Sequence, residues 1–433
     1  MNSVKTFHKG AFKLETGAPN WGASMQDIDG DVAIPFLTLG KNKQINRETD
    51  NSITAQAFKD TPRKVGEVAE ESISMNARFS GLNPLFYWAF GFENEVTSVV
   101  CFKVSNSTQT PSAGAVYNDD DLNELTFYRR EDNSESTLFV FKANSYASAS
   151  TSIELSSGDG PTSIDATENS GIMYEHLYEL DRNERHLADY RTNEQISGYL
   201  AGMKKNRRAN IGNALGPTDI VFPQAMCKGF GFKSSSRGFS ELSFSFLAHD
   251  QKKGSFGSSG WDYSQGVQDS DEAIVHHQLE VAMGLQSNSL VKLGVVDVDL
   301  SVDIPLQVKQ DTLSGLYITE PMLEGKYDIK CSMTLSRYSS DLYQDYRDQW
   351  SSVVARVSAF NDYYRQDFFI QTAKISSAGP DDSEVTQEPI TLEVGHSGAN
   401  NWGDTIPDEN LVQDSPLVLM VRDNVSVNSM IGS

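Results

Sequence analysis

Few side chains in this sequence have the types and spacing that a chemical reaction needs. Gly325 and Lys326 resemble the end of a phosphate-binding loop, but Glu320 occupies the position of the first glycine and Tyr327 that of the Ser or Thr. A phosphate cradle needs the backbone of both glycines and a hydroxyl that reaches Mg²⁺. We therefore predict no nucleotide site at this place.

Acidic and histidine-containing segments also depart from metal-site patterns. Residues 27–31, DIDGD, carry glycine at the fourth rather than the sixth position of a calcium loop, and Thr38 stands where the closing Glu is required. His276 and His277 are adjacent, so their rings diverge on a helix or a strand. We predict a polar turn at 27–31, with an adventitious ion as the alternative. We expect no cofactor, no metal site and no catalytic residues, and hence no enzyme.

Composition and charge limit the functional classes that fit the sequence. The chain has 433 residues, which favours at least two domains, and a net charge of −23. That charge opposes nucleic-acid binding, because affinity for phosphates depends on Lys and Arg contacts. Cys101, Cys227 and Cys331 lie in or beside apolar runs, which predicts buried free thiols and synthesis in a reducing cytoplasm. No apolar run is long enough to cross a bilayer, so we expect no membrane partner.

The chain contains one strand-and-helix pattern twice. Residues 71–90, ESISMNARFSGLNPLFYWAF, and residues 326–350, KYDIKCSMTLSRYSSDLYQDYRDQW, each read as an alternating strand, a polar break and a short aromatic helix. The predicted helices are 85–90 and 340–350. Each pattern is followed by a closing strand pair, 226–233 with 239–248 in the first case and 368–376 with 389–394 in the second.

One further strand carries a row of carboxylates. In residues 295–304, VVDVDLSVDI, the side chains of Asp297, Asp299 and Asp303 share one face, and the opposite face is apolar. Like charges on one strand face oppose folding unless water reaches that face. The sequence therefore predicts a strand with one wet, acidic face.

These elements divide the chain into five predicted parts. They are an N-terminal arm or loop (1–62), a first module (63–253) with a loop-rich insertion at about 104–225, a Gly/Ser-rich linker (254–290), a second module (291–395) and a C-terminal extension (396–433). Both terminal parts contain a strand-like run, represented by Val32, Ile34 and Phe36 and by Leu417, Leu419 and Val421. Residues 176–190 read either as a helix or as an extended connector.

The order of these elements resembles the tail tube proteins of long-tailed bacteriophages, in the longer form that fuses two tube modules in one chain. The resemblance covers about residues 64–395 and rests on the strand pattern and on the Gly-Leu-x-Pro-Leu sequence at 81–85. It implies a mainly β fold. Two tandem modules of β-sandwich or split-barrel type would each have a flanking short helix, with the insertion and the terminal arms added to them.

The resemblance also implies an assembly. Three copies would form a pseudo-hexameric ring, and stacked rings would form a tube that conducts genomic DNA without binding it specifically. The partners would be other copies, a tape-measure protein and other tail proteins, and the location would be the virion tail after assembly in the host cytoplasm. Asp297, Asp299 and Asp303 would line the lumen, with outer solvent as the alternative. Because the open edges of an isolated four-strand unit pair readily with other strands, we also predict that at least one of the two terminal runs crosses to a neighbouring subunit, with coverage of its own module as the alternative.

Other functions fit the same composition. A tube subunit of a contractile injection or secretion machine would use the same module. An adhesin or carbohydrate-binding β-protein would use the Ser- and Asn-rich stretch at 104–170 as its binding surface. A hydrolase on a β scaffold ranks last, because no base and nucleophile are paired by spacing.

Overall fold

The fold is taken from a computed structural model of the 433-residue chain. The residues that it describes are 9–14, 32–34, 38–39, 44–48, 63–104, 124–130, 138–141, 152–154, 163–165, 171–180, 209–214, 219–254, 273–285, 290–307, 321–323, 326–337, 342–361, 364–379, 387–395 and 415–423.

Within these residues the chain forms two α-helices, one 3₁₀ turn (His276–Gln278) and a large number of strands. The helices are α1 (Asn83–Phe90) and α2 (Leu342–Asp348). The strands are β1 (Lys9–Leu14), β2 (Val32–Ile34), β3 (Thr38–Leu39), β4 (Gln44–Glu48), β5 (Arg63–Asn76), β6 (Gly91–Val104), β7 (Glu124–Arg130), β8 (Leu138–Phe141), β9 (Ser152–Glu154), β10 (Ser163–Asp165), β11 (Gly171–Leu180), β12 (Ala209–Ala214), β13 (Asp219–Ser235), β14 (Glu241–Ala248), β15 (Lys252–Gly254), β16 (Leu279–Gly284), β17 (Val291–Leu293), β18 (Val295–Asp303), β19 (Leu306–Gln307), β20 (Met322–Leu323), β21 (Asp328–Leu335), β22 (Ser352–Phe360), β23 (Arg365–Ser377), β24 (Glu388–Val394) and β25 (Leu417–Asp423).

Local sequence explains these elements. On β18, Val298, Leu300 and Val302 are buried while their neighbours are exposed or half-buried, as the twofold strand period requires. The first helix begins after Gly81, whose φ of 79° turns the chain out of β5, and Pro84 lies in its first turn, where a missing N–H costs nothing. The prediction of a mainly β fold is confirmed.

A central antiparallel ladder runs through both halves of the chain. Its strand order is β3–β5–β14–β13–β18–β21–β24–β23. From the first half of β23 the sheet continues into β25, β11, β6, β7 and β8, and the other edge of β23 carries β22, β16 and β17. The ladder and these further strands enclose one continuous apolar core, so the two halves share a core.

Three boundaries differ from the sequence prediction. The linker predicted at 254–290 is wrong over 279–284, because β16 lies there and pairs with β22. The helical interpretation of 176–190 is wrong over its first five residues, which belong to β11. The insertion at 104–225, predicted to be loop-rich, also contributes β11 and β12, which pair with β25 and β13. None of the helices in the described part is long and apolar enough to span a bilayer.

Candidate functional site

The central ladder contains the same four-strand arrangement twice. We call β3, β5, α1, β14 and β13 the first unit, and β18, β21, α2, β24 and β23 the second unit. In each unit the helix begins seven residues after the end of the preceding ladder strand. The paired residues form matching rows, which are Leu39–Ile73–Phe244–Phe230 in the first unit and Leu300–Cys331–Leu392–Ile375 in the second.

The two units are joined edge to edge. Phe230, the last member of the first row, pairs with Val302 of β18, so the second unit begins where the first unit ends. The last member of the second row, Ile375, has no corresponding neighbour among the described residues. On that edge the pairing of β23 with β22 stops at Lys374 and Ser352. Residues 375–377 of β23 therefore form an edge, here called the open edge, that the described chain does not pair.

The opposite end of the ladder is also incomplete. Strand β3 pairs with β5 through Thr38 and Leu39, and it holds the place in the first unit that β18 holds in the second. Strand β18 uses both of its edges, whereas the described residues provide β3 with a partner on one edge alone. Within the described residues, the ladder thus ends at β3 on one side and at the open edge of β23 on the other. These two ends correspond to β18 and β13, which pair with each other at the junction of the two units.

One face of the ladder is polar. Asp297, Asp299 and Asp303 lie on this face of β18, as the sequence predicted, with Asp299 and Asp303 exposed. Asp297 is half-buried and accepts a hydrogen bond from the hydroxyl of Thr334 at 3.0 Å. The polar face continues over the first unit as Ser72, Ser74, Asn76, Ser243, Ser245, Gly229 and Gly231.

Lysines interrupt the acidic row, a feature that single-strand reasoning did not find because they come from neighbouring strands. Lys233 lies 3.9 Å from Asp299, and Lys330 donates a hydrogen bond to Asp328 at 2.6 Å. The hydrogen bond and charge of Asp328 raise the pKa of Lys330, and Glu393 and Asp303 add to this effect. On the face as a whole, carboxylates outnumber lysines: the acids are Glu241, Asp297, Asp299, Asp303, Asp328 and Glu393, and the bases are Lys233, Lys330 and Lys374.

The C-terminal run is not a free arm. Strand β25 lies between β11 and β23 and pairs with both. Leu417, Leu419 and Val421 are at most 1% exposed in the chain's own core. This run therefore covers its own chain, the alternative given above, because both edges and one apolar face of β25 are used there. The prediction that at least one terminal run reaches a neighbouring subunit stays a prediction.

The N-terminal run is only partly described. Val32 and Ile34 lie on β2, which pairs with β1 of the same chain. Phe36 lies outside the described residues. The backbone pairing thus places the start of this run beside its own chain, and its role between subunits stays a prediction.

A network of buried polar side chains holds β25 in place. The Tyr178 hydroxyl donates to Asn83 Oδ1 at 2.8 Å, and Asn83 Nδ2 donates to Asp423 Oδ2 at 2.6 Å. The other oxygen of Asp423 lies 3.7 Å from Nε2 of His176, and all four side chains are fully buried. Burial of a polar group without a partner is costly. These hydrogen bonds between buried side chains therefore fix α1, β11 and β25 relative to one another. The members of the network are far apart in sequence, and no local pattern could have predicted it.

The residues first considered for chemistry do not converge. His276 contacts the hydroxyl of Ser234 at 3.0 Å and the carbonyl of Val295 at 3.2 Å, while His277 is exposed. Lys326 is exposed, and Glu320 and Gly325 lie outside the described residues. No cluster of three or more potential metal ligands occurs within the described ranges.

Two of the cysteines are free and buried, as predicted for them. Burial raises the pKa of the Cys331 thiol to about 12, with a smaller contribution from the charge of Asp299. Cys227 donates a weak hydrogen bond to the carbonyl of Gly229. Both thiols are structural, since reactivity requires an accessible thiolate.

Comparison with known proteins adds no identification. No protein-family model matches the chain, and no curated protein is significantly similar to it.

Proposed function

We propose that this chain is the structural subunit of a viral tail tube. In this proposal three copies form a ring, rings stack around a lumen, and genomic DNA passes through that lumen during ejection. Other copies, a tape-measure protein and other tail proteins are the partners. The chain performs no chemical reaction, and its activity is its assembly.

The observation that supports the proposal is the repeat of the four-strand unit and the pairing of the two units edge to edge. Within one chain, the last strand of the first unit is joined to the first strand of the second unit. Repeating that junction between copies would pair the open edge of one copy with β3 of the next. Closure removes exposed strand edges, which otherwise pair without specificity. Two units per copy make a three-copy ring pseudo-sixfold.

The dimensions agree with a DNA channel. Each copy contributes eight ladder strands, so a ring of three has twenty-four. Strands spaced roughly 4.8 Å apart and tilted by roughly 40° close into a barrel roughly 50 Å across, measured between backbones. The polar face of the ladder would line this barrel. Its acidic excess would repel phosphates, and the small Ser and Gly side chains of the first unit would leave the bore wide.

Electron microscopy of the purified protein tests the proposal, together with native mass spectrometry of the assembled species. We expect stacked rings with three chains in each. Rings of six chains would contradict the role of the internal repeat. Isolated particles at all concentrations would contradict a tube, and glycan binding by such particles would support the adhesin alternative.

A further inference from the structure

The second helix exposes an aromatic stripe. Leu342 and Tyr346 lie four residues apart and share one side of α2, and Trp350 lies in the turn that follows the helix. Leu342 is 40% exposed, Trp350 is 64% exposed and Tyr346 is half-buried. Tyr343 is buried, and its ring contacts that of Tyr346 with the centroids 6.2 Å apart, so Tyr346 lies at the border between the core and the surface. Large apolar side chains on a continuous surface stripe indicate an interaction site.

Trp350 is held in a fixed position despite its exposure. Its φ is 54°, in the left-handed region that costs a side chain of this size about 1–2 kcal/mol. The amide of Trp350 donates to the carbonyl of Arg347 at 2.9 Å, and Nζ of Lys374 donates to the Trp350 carbonyl at 2.5 Å. The same ammonium group lies 5.8 Å from the centre of the indole ring. The ring is therefore ordered before any partner binds, which lowers the entropy cost of binding.

The stripe lies next to the open edge. Helix α2 packs against β23. Arg347 Nη1 donates to the carbonyl of Ala378 at 2.6 Å, and Lys374 directly precedes residues 375–377. Trp350 and Arg347 thus contact the residues directly before and directly after the open edge, Lys374 and Ala378.

The first unit indicates what occupies this place. There the equivalent edge is taken by β18, a strand of the same protein. The helix of the first unit is covered as well: Trp88 of α1 packs against Phe12 of β1, with ring centroids 5.4 Å apart. Within the described residues, the surface that pairs with the equivalent edge of the first unit is therefore a ladder strand of this same protein.

We propose that Trp350 is the central anchor of the contact between copies, and that it packs against the second copy whose strand lies along the open edge. Lys374 orients the indole ring, and Leu342 and Tyr346 extend the contact. Buried Trp side chains at the centre of an interface contribute a large share of binding energy. This inference rests on the self-assembly in the proposed function, but it concerns one residue and can fail separately.

Hydroxyl-radical footprinting of the parent protein gives the first test. We expect Trp350 to be oxidised in dilute monomer, because it is 64% exposed. We expect its oxidation to fall several-fold in the assembled protein, whereas oxidation of the exposed Phe239 and Val291 serves as the internal reference. Unchanged oxidation of Trp350 in assemblies would overturn the inference and leave the proposed function standing. Failure of the parent protein to assemble at any concentration would overturn both.

Substitution gives the second test. We expect Trp350→Ala to raise the protein concentration needed for assembly at least ~10-fold, which corresponds to about 1.4 kcal/mol. Trp350→Phe should restore part of the loss, and Val291→Ala, at a similarly exposed apolar residue on β17, should assemble like the parent. Circular dichroism and sedimentation velocity report folding and assembly on the same samples. Folded Trp350→Ala protein that assembles at the parent's concentration would overturn the inference.

Discussion

The two helices in the described part of this protein begin at the same place in two matching units, yet α1 is covered on all sides and α2 is not. In α1, every side chain except the half-buried Tyr87 is buried, and Trp88 packs against Phe12, Phe244 and Phe246. In α2, Tyr343 is the only buried residue. The difference lies in what surrounds the helix, since β6 and β11 contact α1 while β23 is the strand that α2 packs against.

A similar contrast separates the two junction edges. The last strand of the first unit, β13, pairs with β18, whereas the last strand of the second unit, β23, ends in the open edge. The polar face differs too, because Asp297, Asp299 and Asp303 all belong to the second unit, opposite a first unit rich in Ser and Gly. The last strand of the first unit thus has a partner in its own chain, whereas the described residues leave the equivalent edge of the second unit without one.

Removal of β25 should have the largest effect on the covered half. The strand buries Leu417, Val418, Leu419, Met420 and Val421, each at most 2% exposed. At about 2 kcal/mol for each buried side chain, their loss approaches the whole stability of a typical domain. We expect a chain that ends at residue 414 to lack a cooperative thermal transition by circular dichroism. A chain that ends at Asp423 is the matched control and should melt like the parent. If the chain without β25 still folds, then the strands that cover α1, β6 and β11, do not depend on β25.

The two tryptophans test the contrast between the helices directly. Trp88 is 1% exposed and donates from Nε1 to the carbonyl of Ala225 at 3.0 Å. We expect Trp88→Ala to lower the free energy of unfolding by about 3–5 kcal/mol, because it leaves a cavity and an unpaired carbonyl. Trp350→Ala should lower it by less than about 1 kcal/mol in the monomer. Urea denaturation of dilute protein measures both, and equal losses would contradict the assignment of the second helix as uncovered.

Much of this contrast could not be predicted from the sequence. The alternation on β18 and the hairpin of β13 and β14 were predictable, because one strand face alternates with the other and a short polar turn joins the pair. The wet face of Asp299 and Asp303 followed from the same period. The burial of β25 and the polar network from Tyr178 to Asp423 were not predictable, because they depend on strands far apart in sequence. The sequence predicts a short aromatic helix at 340–350, but helical spacing alone does not show which of its side chains are covered.

Reversal of charge on the second unit's face tests the assignment of that face to the lumen. In assembled protein we expect Asp299→Lys with Asp303→Lys to create binding to a short linear duplex, with an affinity that falls steeply as salt rises. The neutral pair Asp299→Asn with Asp303→Asn is the matched control and should bind little DNA. A closed circular plasmid cannot thread a channel, so it should not compete. Fluorescence anisotropy measures the binding, and equal competition by the plasmid would place the face on the outer surface.

A smaller effect concerns how the outer strands of the second half are held. Glu280 on β16 accepts hydrogen bonds from Lys292 at 2.6 Å and Arg356 at 2.8 Å. Burial alone would raise the pKa of Glu280, but the hydrogen bond and charge of Lys292, together with Arg356, lower it below its usual value. A carboxyl whose pKa is lowered by folding stabilises the protein above its unfolded pKa, and this contribution disappears as the pH falls through the folded pKa.

We therefore expect Glu280→Gln to lower the free energy of unfolding by about 1 kcal/mol at pH 7. The difference from the parent should shrink as the pH falls below the usual carboxyl range. Asp328→Asn removes an ion pair in which both side chains are about half exposed, and it should leave the free energy of unfolding nearly unchanged. Urea denaturation at several pH values measures both variants. A Glu280→Gln effect that is independent of pH would show that the charge of the carboxylate does not stabilise the contacts of β16 with Lys292 and Arg356.

Electron cryo-microscopy of the assembled protein tests the central claim most directly, which is that the second unit is completed by another copy. The account predicts three chains in each ring, with a strand of the neighbouring chain paired to residues 375–377 of β23 and the indole ring of Trp350 buried against that neighbour. Assemblies in which residues 375–377 remain unpaired and Trp350 faces solvent would contradict it.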